Sequence, residues 1–454
     1  MAVPCVMSGM PFMLILVTFS AVDIDTHALH TYKANLPQGE DKVHLYLGSV
    51  NNFLFDVITG CGGGNMPQRG DIELILAGSP CQGFSAANPQ GHEAMKSLNN
   101  SALICTTISA IDFYRPKYAI LENVPAMATD RKYRGNTVNI SNQLMCALIG
   151  MGYQCRCLLL DAWNFGAPQL RTRLFIEIAA PGCILPSIPQ GSHAHPLDIK
   201  GRAVGKTATN IKFAERSFDD LTAFPSVELK DFWGDLPKIG NSHLGVCIPF
   251  PDHKTYWTPN ARDRQIMSRI PHSDAFASST VWGRYPGYKY AFHKRKLMPE
   301  HLTPRFVPFE AQDGRFTRLS SDGLSPTITC VQAPQSRISG KTLHYDEDRA
   351  LSNLEAKRVQ GFFDSDVLIG KPHKAYRIIG NSVCRQVAYA LGLSLKDALT
   401  RQTSQMTQME QMEAEKASMQ LEEKLSVDKG EPGLSALRKV KRTSNVELMV
   451  LIES

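Results

Sequence analysis

The sequence predicts an α/β protein built on a largely parallel, doubly wound sheet. From Ala21 to about residue 180, short apolar runs alternate with stretches of helical character. Strands that alternate with helices are typical of parallel sheets covered on both faces. A chain of 454 residues is also long enough for two or three domains and one large core.

The predicted elements follow the apolar runs in order. Strands are expected at 21–24, 72–77, 118–121, 157–160 and 174–178, with helices at 26–35 and 103–114. From Pro181 to about residue 345 the chain is rich in Pro, Gly, His and aromatic residues without a sustained period, which predicts a smaller, irregular domain. Helical character returns at 352–360 and 385–399. Residues 401–454 are expected to be a low-complexity tail, either a solvated helix or disordered.

Composition favours a soluble protein inside a cell. The 11 cysteines are an odd number without paired CxxC spacing, which argues for reduced thiols and against a disulfide framework or a zinc site. Residues 1–19 lack a basic segment and are short for a membrane span, so a buried strand is the preferred interpretation there. The net charge of +6 permits a polyanionic partner without demonstrating one.

Cys81 stands in the segment Gly-Ser-Pro-Cys-Gln-Gly-Phe-Ser, directly after the apolar run Ile72–Ala77. Ligands of open α/β sheets bind beyond the carboxyl ends of the strands. A cysteine on a loop bounded by Pro and Gly is accessible and held in place, as a nucleophile must be. An inert loop thiol is the alternative.

Other polar groups follow the neighbouring predicted strands. Glu122 ends the run Tyr118–Leu121, and adjacent parallel strands would bring it near Cys81; a salt-bridged or helix-capping Glu is the alternative. Arg171 and Arg173 could clamp a phosphate or a base carbonyl, or could be surface charges. The segment 380–383, Gly-Asn-Ser-Val, precedes a predicted helix and suits a close approach of backbone and ligand.

These segments together resemble the DNA cytosine-5 methyltransferases. The similarity covers about residues 20–180 and 313–395, in the order found in that family, and the large eukaryotic maintenance-type branch, with its fungal members, is the most similar part of it. The shared motifs are AVDIDTHALHTYKANLP, SPCQGFS, YAILENV, FGAPQLRTRLFI, DGLSPTIT, RALSNLEAKRVQGF and GNSV.

The resemblance implies a Rossmann-like, S-adenosylmethionine-dependent methyltransferase fold and covalent catalysis. Cys81 would add to carbon 6 of a flipped cytosine, so that carbon 5 can accept the methyl group. Protonated Glu122 would bind ring nitrogen 3 and the exocyclic amine. Arg171 and Arg173 would hold the base oxygen and help to order the Cys81 loop.

The resemblance also implies cofactor contacts and a domain division. Asp23 would take the ribose hydroxyls of S-adenosyl-L-methionine and Ile24 would pack on the adenine; Pro80, which also orients the Cys81 loop, is expected to line the same site. Further cofactor positions would be Leu103, Asn381, Ser382 and Val383. Residues 1–180 and 346–400 would form the catalytic domain and 181–345 the target-recognition region.

Double-stranded DNA is the implied partner, in the nucleus, with possible chromatin proteins and neither metal nor membrane. Lys289 to Lys296, with interleaved aromatic residues, suits phosphate contacts, and a solvated basic loop is the alternative.

The chain departs from the family in two places. No Phe-x-Gly-x-Gly-Gly turn precedes Ala21, and Ser49 stands where the family commonly carries an Asp that meets the adenine amine. A truncated or mis-spliced start is the favoured explanation. The alternative explanation of these departures is a catalytically impaired DNA-binding, chromatin-silencing relative. An RNA methyltransferase of the same fold is a further alternative for the function.

Overall fold

The computed structural model describes the chain in several stretches. These are residues 17–36, 43–63, 66–80, 95–133, 136–194, 204–206, 209, 212–214, 222–240, 249–268, 272, 316, 318–336, 340, 342–427 and 447–452.

A seven-stranded sheet forms the centre of the molecule. Its strand order is β2-β1-β13-β3-β4-β9-β7. In this order, the five strands β2, β1, β13, β3 and β4 pair in parallel, whereas β9 is antiparallel to both of its neighbours, β4 and β7. The bounds are β1 Val17–Asp23, β2 His44–Leu47, β3 Leu74–Gly78, β4 Tyr118–Asn123, β7 Gln154–Asp161, β9 Thr172–Ala179 and β13 Glu447–Ile452.

Helices cover both faces of this sheet. Alternate residues of each strand point to opposite faces, so Val22 and Ile75 pack in one apolar cluster while Ala21 and Leu76 pack in another. Helices α2, α3 and α4 contribute to the first cluster, and α1 and the start of α9 contribute to the second. These helices are α1 Thr26–Ala34, α2 Val50–Thr59, α3 Met95–Tyr114, α4 Ile140–Gly150 and α9 Arg385–Val427.

The predicted doubly wound α/β fold is confirmed, and each of the five predicted strands lies within or overlaps an observed strand. Strand β2 and helices α2 and α4 were not predicted from the sequence. The expected strand within residues 1–19 lies partly outside the described residues, and its end belongs to β1. The expectation of a largely parallel sheet needs one qualification, because β7 and β9 form an antiparallel pair at one edge.

The C-terminal segment differs most from the sequence-based expectation. For residues 401–454 a solvated helix or a disordered tail is expected; α9 continues to Val427, with mostly exposed side chains at 401–417, in agreement with the first alternative, whereas Glu447–Ile452 forms an unexpected strand inside the main sheet. This strand lies between β1 and β3, parallel to both. A run of apolar residues near the end of the chain thus fills a central position of the sheet.

The rest of the chain contributes short elements. The described part of 181–345 is mostly irregular, and the domain boundaries stay a prediction. Within the described ranges no helix is long and apolar enough to cross a membrane. The remaining elements are β5 Arg131–Tyr133, β6 Asn136–Val138, β8 Gln169–Leu170, β10 Gly205–Lys206, β11 Lys212–Phe213, β12 Ser325–Pro326, α5 Leu229–Trp233, α6 Ala261–Met267, α7 Asn353–Val359 and α8 Pro372–Asn381.

A buried ionic network fixes the start of α7. The Arg349 guanidinium donates to both carboxylate oxygens of Glu355, at 2.6 and 2.8 Å, and also to Glu347. Glu355 in turn accepts the Ser352 N–H at 2.8 Å and completes a capping box. Burial alone would raise the pKa of Glu355, but the Arg349 charge outweighs it and lowers the pKa to about 2.

His344 is a buried neutral side chain beside this network. Its ring stacks on Trp233 with centroids 5.7 Å apart, and its Nδ1 accepts the Asp346 N–H at 3.1 Å. Because Nδ1 is an acceptor, the ring hydrogen lies on Nε2, which faces a Glu355 oxygen at 3.5 Å. Burial lowers the pKa of His344 to about 4.

The lowered pKa of His344 predicts a loss of stability in mild acid. In the unfolded chain this imidazole takes up a proton near pH 6.5, whereas in the folded protein it does so only near pH 4. Its contribution is therefore complete above pH 6.5 and falls by about 3 kcal/mol as the pH drops to 4. Urea unfolding of the parent chain and of His344→Phe across this range should show that difference in slope.

Other carboxylates and histidines titrate over the same range, so only the difference between variants is diagnostic. His30→Gln, which changes an exposed histidine of α1, is the matched control and should follow the parent chain. Parallel pH profiles for the parent chain and His344→Phe would contradict the assignment of His344 as a buried neutral group.

Candidate active site

The predicted meeting of two strand ends is observed. Strand β3 is buried along its whole length and runs into Ser79 and Pro80, and its last residue, Gly78, pairs in register with Glu122 of β4. Pro80, two residues after β3, is buried. Cys81 itself belongs to 81–94, which lies outside the described residues. The sheet therefore brings Glu122 next to Gly78, three residues before Cys81 in the sequence.

Asn123 fixes the residue that follows β3. Its amide nitrogen donates to the Ser79 carbonyl at 3.3 Å, and its amide oxygen accepts the Val124 N–H at 2.8 Å. The Ser79 hydroxyl also lies 3.5 Å from the Thr107 hydroxyl on α3. Asn123 was not among the site residues predicted from the sequence. An amide that directly follows a carboxylate at a strand end was the available signal.

Glu122 forms an ion pair with Arg173. The Arg173 Nε lies 2.9 Å from a Glu122 oxygen, and only 15% and 12% of the two side chains are exposed. Both side chains leave neighbouring strands, since β4 and β9 pair in register with Leu174 opposite Asn123. Two of the predicted site residues are thus in direct contact and largely shielded from water.

Arg171 has a different environment from Arg173. Its guanidinium is buried and donates to three backbone carbonyls, those of Ile328 at 3.2 Å, Gly380 at 3.2 Å and Ser382 at 2.8 Å. Burial, together with the neighbouring Arg173 charge, lowers its pKa to about 9, which still leaves it charged at neutral pH. Arg171 therefore joins the strand ends to two segments that are distant in sequence.

Gln169 extends the same connection. Its amide nitrogen donates to the Val359 carbonyl at 3.0 Å and to the Gln360 side chain at 2.7 Å, and Gln360 in turn donates to the Ser382 carbonyl. Strand β8, which carries Gln169, pairs with β12. Gln169 lies within the motif FGAPQLRTRLFI, but no function was predicted for it from the sequence.

The end of α8 and the residues that follow it, 380–383, are held in place by contacts with other parts of the protein. A Cβ on Gly380 would lie 2.2 Å from the Thr329 carbonyl oxygen, so only glycine fits there. The Ser382 hydroxyl donates to the Ile379 carbonyl at 2.8 Å, and Val383 is buried in an apolar cluster with Phe175. Asn381 accepts a hydrogen bond from the Cys330 thiol. The close contact observed here is between Gly380 and the Thr329 backbone, and the approach of this segment to a ligand stays a prediction.

The predicted cofactor residues of β1 lie at the carboxyl edge of the sheet. Asp23 is buried and accepts the Asp25 N–H at 2.7 Å, whereas Ile24 is 51% exposed. Ser49 is the N-cap of α2 and accepts the Asn51 N–H at 3.1 Å. A buried carboxylate thus stands next to an exposed apolar side chain at this edge.

The other predicted positions are farther along the chain. Leu103 lies on α3 and is partly buried. The basic cluster at 289–296 lies outside the described residues. In the described part of the chain, no group of three or more His, Cys, Asp or Glu side chains could hold a metal ion.

The contrast between the two arginines predicts different effects of the same substitution. Arg171→Met would leave three carbonyls without their donor, and we expect a loss of about 3 kcal/mol in the free energy of unfolding. Arg173→Met is the matched control and should cost less, about 1–2 kcal/mol, because it removes one partly exposed ion pair rather than three buried hydrogen bonds. Chemical denaturation measures both. Equal losses would contradict the assignment of Arg171 as the structural residue of the pair.

Comparison with known proteins gives one consistent result. The family model described as C-5 cytosine-specific DNA methylase matches residues 13–397. DNA (cytosine-5)-methyltransferase 1B of Oryza sativa subsp. japonica is 29% identical over 356 residues, which are 74% of this chain and 22% of that protein. DNA (cytosine-5)-methyltransferase 1 of Mus musculus is 28% identical over 401 residues, 75% of this chain and 24% of that protein. The chain thus spans about a quarter of these relatives.

Solved structures of similar proteins include two methyltransferases. A putative DNA modification methyltransferase encoded within an E. coli prophage has a TM-score of 0.47 and 20% identity, over 85% of this chain and 96% of that one. A Spodoptera frugiperda DNMT2 mutant has a TM-score of 0.45 and 14% identity, over 86% of this chain and 93% of that one. Since the family model matches most of the sequence, this chain belongs to the C-5 cytosine-specific DNA methylase family.

Proposed function

We propose that the chain is a DNA cytosine-5 methyltransferase that acts through a covalent adduct between Cys81 and the target base. The observation that carries the proposal is the shielded Glu122–Arg173 ion pair, at 2.9 Å, next to the strand that leads to Cys81. A carboxyl group and a guanidinium so placed can bind the polar edge of one base. Family membership supports the same reaction.

The reaction begins with the Cys81 thiolate. Its sulfur forms a bond to carbon 6 of cytosine, and the electron pair of the carbon 5–carbon 6 double bond makes carbon 5 nucleophilic. When bound, S-adenosyl-L-methionine supplies the methyl group that carbon 5 accepts. A base then removes the proton from carbon 5, the double bond re-forms, and the bond between carbon 6 and sulfur breaks to return the thiolate.

Glu122 and Arg173 bind the base in this proposal. Glu122 interacts with ring nitrogen 3 and the exocyclic amine, which draws electron density from carbon 6, and Arg173 holds the base oxygen. Arg171 contacts three carbonyls and acts instead as a positioning residue that orients the strand end below them. The target atoms are inaccessible in stacked DNA, so the cytosine must leave the duplex.

S-adenosyl-L-methionine is the methyl donor of this family, and the edge of β1 fits it. The buried Asp23 carboxylate can accept hydrogen bonds from ribose hydroxyls, and the exposed Ile24 side chain offers an apolar surface for adenine. Ser49, an N-cap whose hydroxyl can also donate, lies at the end of the neighbouring strand. Leu103 and Pro80 complete the proposed site, together with the turn at Asn381, Ser382 and Val383.

Double-stranded DNA is the proposed substrate, and the nucleus is the proposed location. Both follow from the names of the eukaryotic relatives and from the basic sequence at 289–296. A role in epigenetic silencing, with chromatin proteins as partners, belongs to the same proposal.

Transfer of a labelled methyl group from S-adenosyl-L-methionine to duplex DNA tests the function. We expect counts from the parent chain, a loss of at least about a thousandfold in Cys81→Ser, and a loss of about a hundredfold in Glu122→Gln. Both substitutions are nearly isosteric, so thermal unfolding should stay unchanged. Counts from the parent chain that do not exceed those of Cys81→Ser would refute the proposed activity.

Three further measurements separate the alternatives. DNA that carries fluorine at carbon 5 cannot lose a proton there, so it should trap the Cys81 adduct as a protein–DNA complex that survives denaturation. Salt-dependent DNA binding without transfer would indicate a silent DNA-binding protein. Greater transfer to transfer RNA than to DNA would indicate an RNA methyltransferase.

A further inference from the structure

The central position of the sheet is filled from the far end of the chain. Strand β13 pairs in parallel with β1, where Leu451 lies opposite Val22, and in parallel with β3, where Ile452 lies opposite Gly78. Among the residues that the structure describes, no other pairing joins β1 to β3. Without β13, the sheet of the described residues would separate into the pair β2–β1 and the group β3-β4-β9-β7.

The sequence of this segment suits that position. Leu448 to Ile452 is an uninterrupted apolar run, preceded by the polar residues Ser444 and Asn445. Continuous apolar runs are typical of parallel strands that are buried on both faces. The ends of β1 and β3 in contact with it are themselves buried.

We infer that Glu447–Ile452 is a donated strand on which the cofactor-binding edge depends, so that the C-terminal segment controls whether the chain can bind its methyl donor. This inference rests on the proposed function for the identity of the ligand. The strand insertion itself rests on the sheet pairing alone.

The dependence follows from the direction of β13. Because β13 is parallel to its neighbours, its carboxyl end lies at the edge that carries Asp23 on one side and Ser79 and Pro80 on the other. Neighbouring strands are about 4.8 Å apart, so one intervening strand sets these two groups about 10 Å apart. Withdrawal of β13 would leave that separation undefined and would expose two apolar strand edges.

A truncation after Val446 and a strand-breaking substitution test the insertion. Val450 pairs with Ala21 and Leu76, so Val450→Pro removes a donor from a central strand, whereas Val450→Ile keeps it. We expect the truncated chain and Val450→Pro to melt at least about 10 °C below the parent chain, with loss of amide-exchange protection in 17–23 and 74–78. Val450→Ile should match the parent chain. Unchanged melting and protection in Val450→Pro would overturn the inference.

Restoration in trans distinguishes strand donation from general damage. A peptide of residues 445–454, added to the truncated chain or co-expressed with it if that chain is insoluble, should restore the melting temperature and the protection of β1 and β3. A peptide of the same composition in scrambled order is the control. Failure of the native peptide to do better than the scrambled one would overturn the inference.

The cofactor and oligomer readouts complete the test. S-adenosyl-L-methionine should raise the melting temperature of the parent chain and of the peptide-restored chain, but not of the truncated chain alone. If restoration by the peptide is seen and no form responds to the cofactor, the proposed function fails while the strand insertion stands. A parent chain that is dimeric, with a truncated form that is monomeric, would overturn insertion within one chain and assign the strand to a second copy.

Discussion

The buried guanidinium of Arg171 is the interaction on which the arrangement of the candidate site depends. A charge in the protein interior needs hydrogen-bond partners, and here three carbonyls from two separate segments accept from the two terminal nitrogens of the guanidinium. One segment follows β12 and contains Ile328; the other is the end of α8, with Gly380 and the C-cap Ser382. The requirement to solvate one cation therefore brings the C-terminal part of the chain onto the carboxyl edge of the sheet.

The two arginines of one short motif serve the site in different ways. Arg171 contributes through backbone carbonyls, while Arg173, two residues later, keeps its guanidinium on Glu122. Asn123 fixes the neighbouring loop root at Ser79. A rigid frame of buried hydrogen bonds thus surrounds a polar pair that can be presented to a base, which is the arrangement that precise positioning of a reacting group requires.

The sequence predicted the fold class and the pairing of strand ends, because apolar runs and the polar residues that end them are local signals. Glu122 was placed correctly beside the Cys81 strand for that reason. The function of Arg171 was not predictable, since its partners lie far away in sequence. The position of Glu447–Ile452 was also missed, because its apolar run is a local signal of a strand but its partner strands lie far away in sequence.

The central strand also has a consequence for folding during synthesis. Strands β1 and β3 are synthesised several hundred residues before their common partner, Glu447–Ile452. Contacts of such high sequence separation form slowly, and unpaired strand edges are prone to association in the meantime. The nascent chain should therefore carry β1 and β3 with open edges until Glu447–Ile452 has been made, and chaperones would protect it from association during that time.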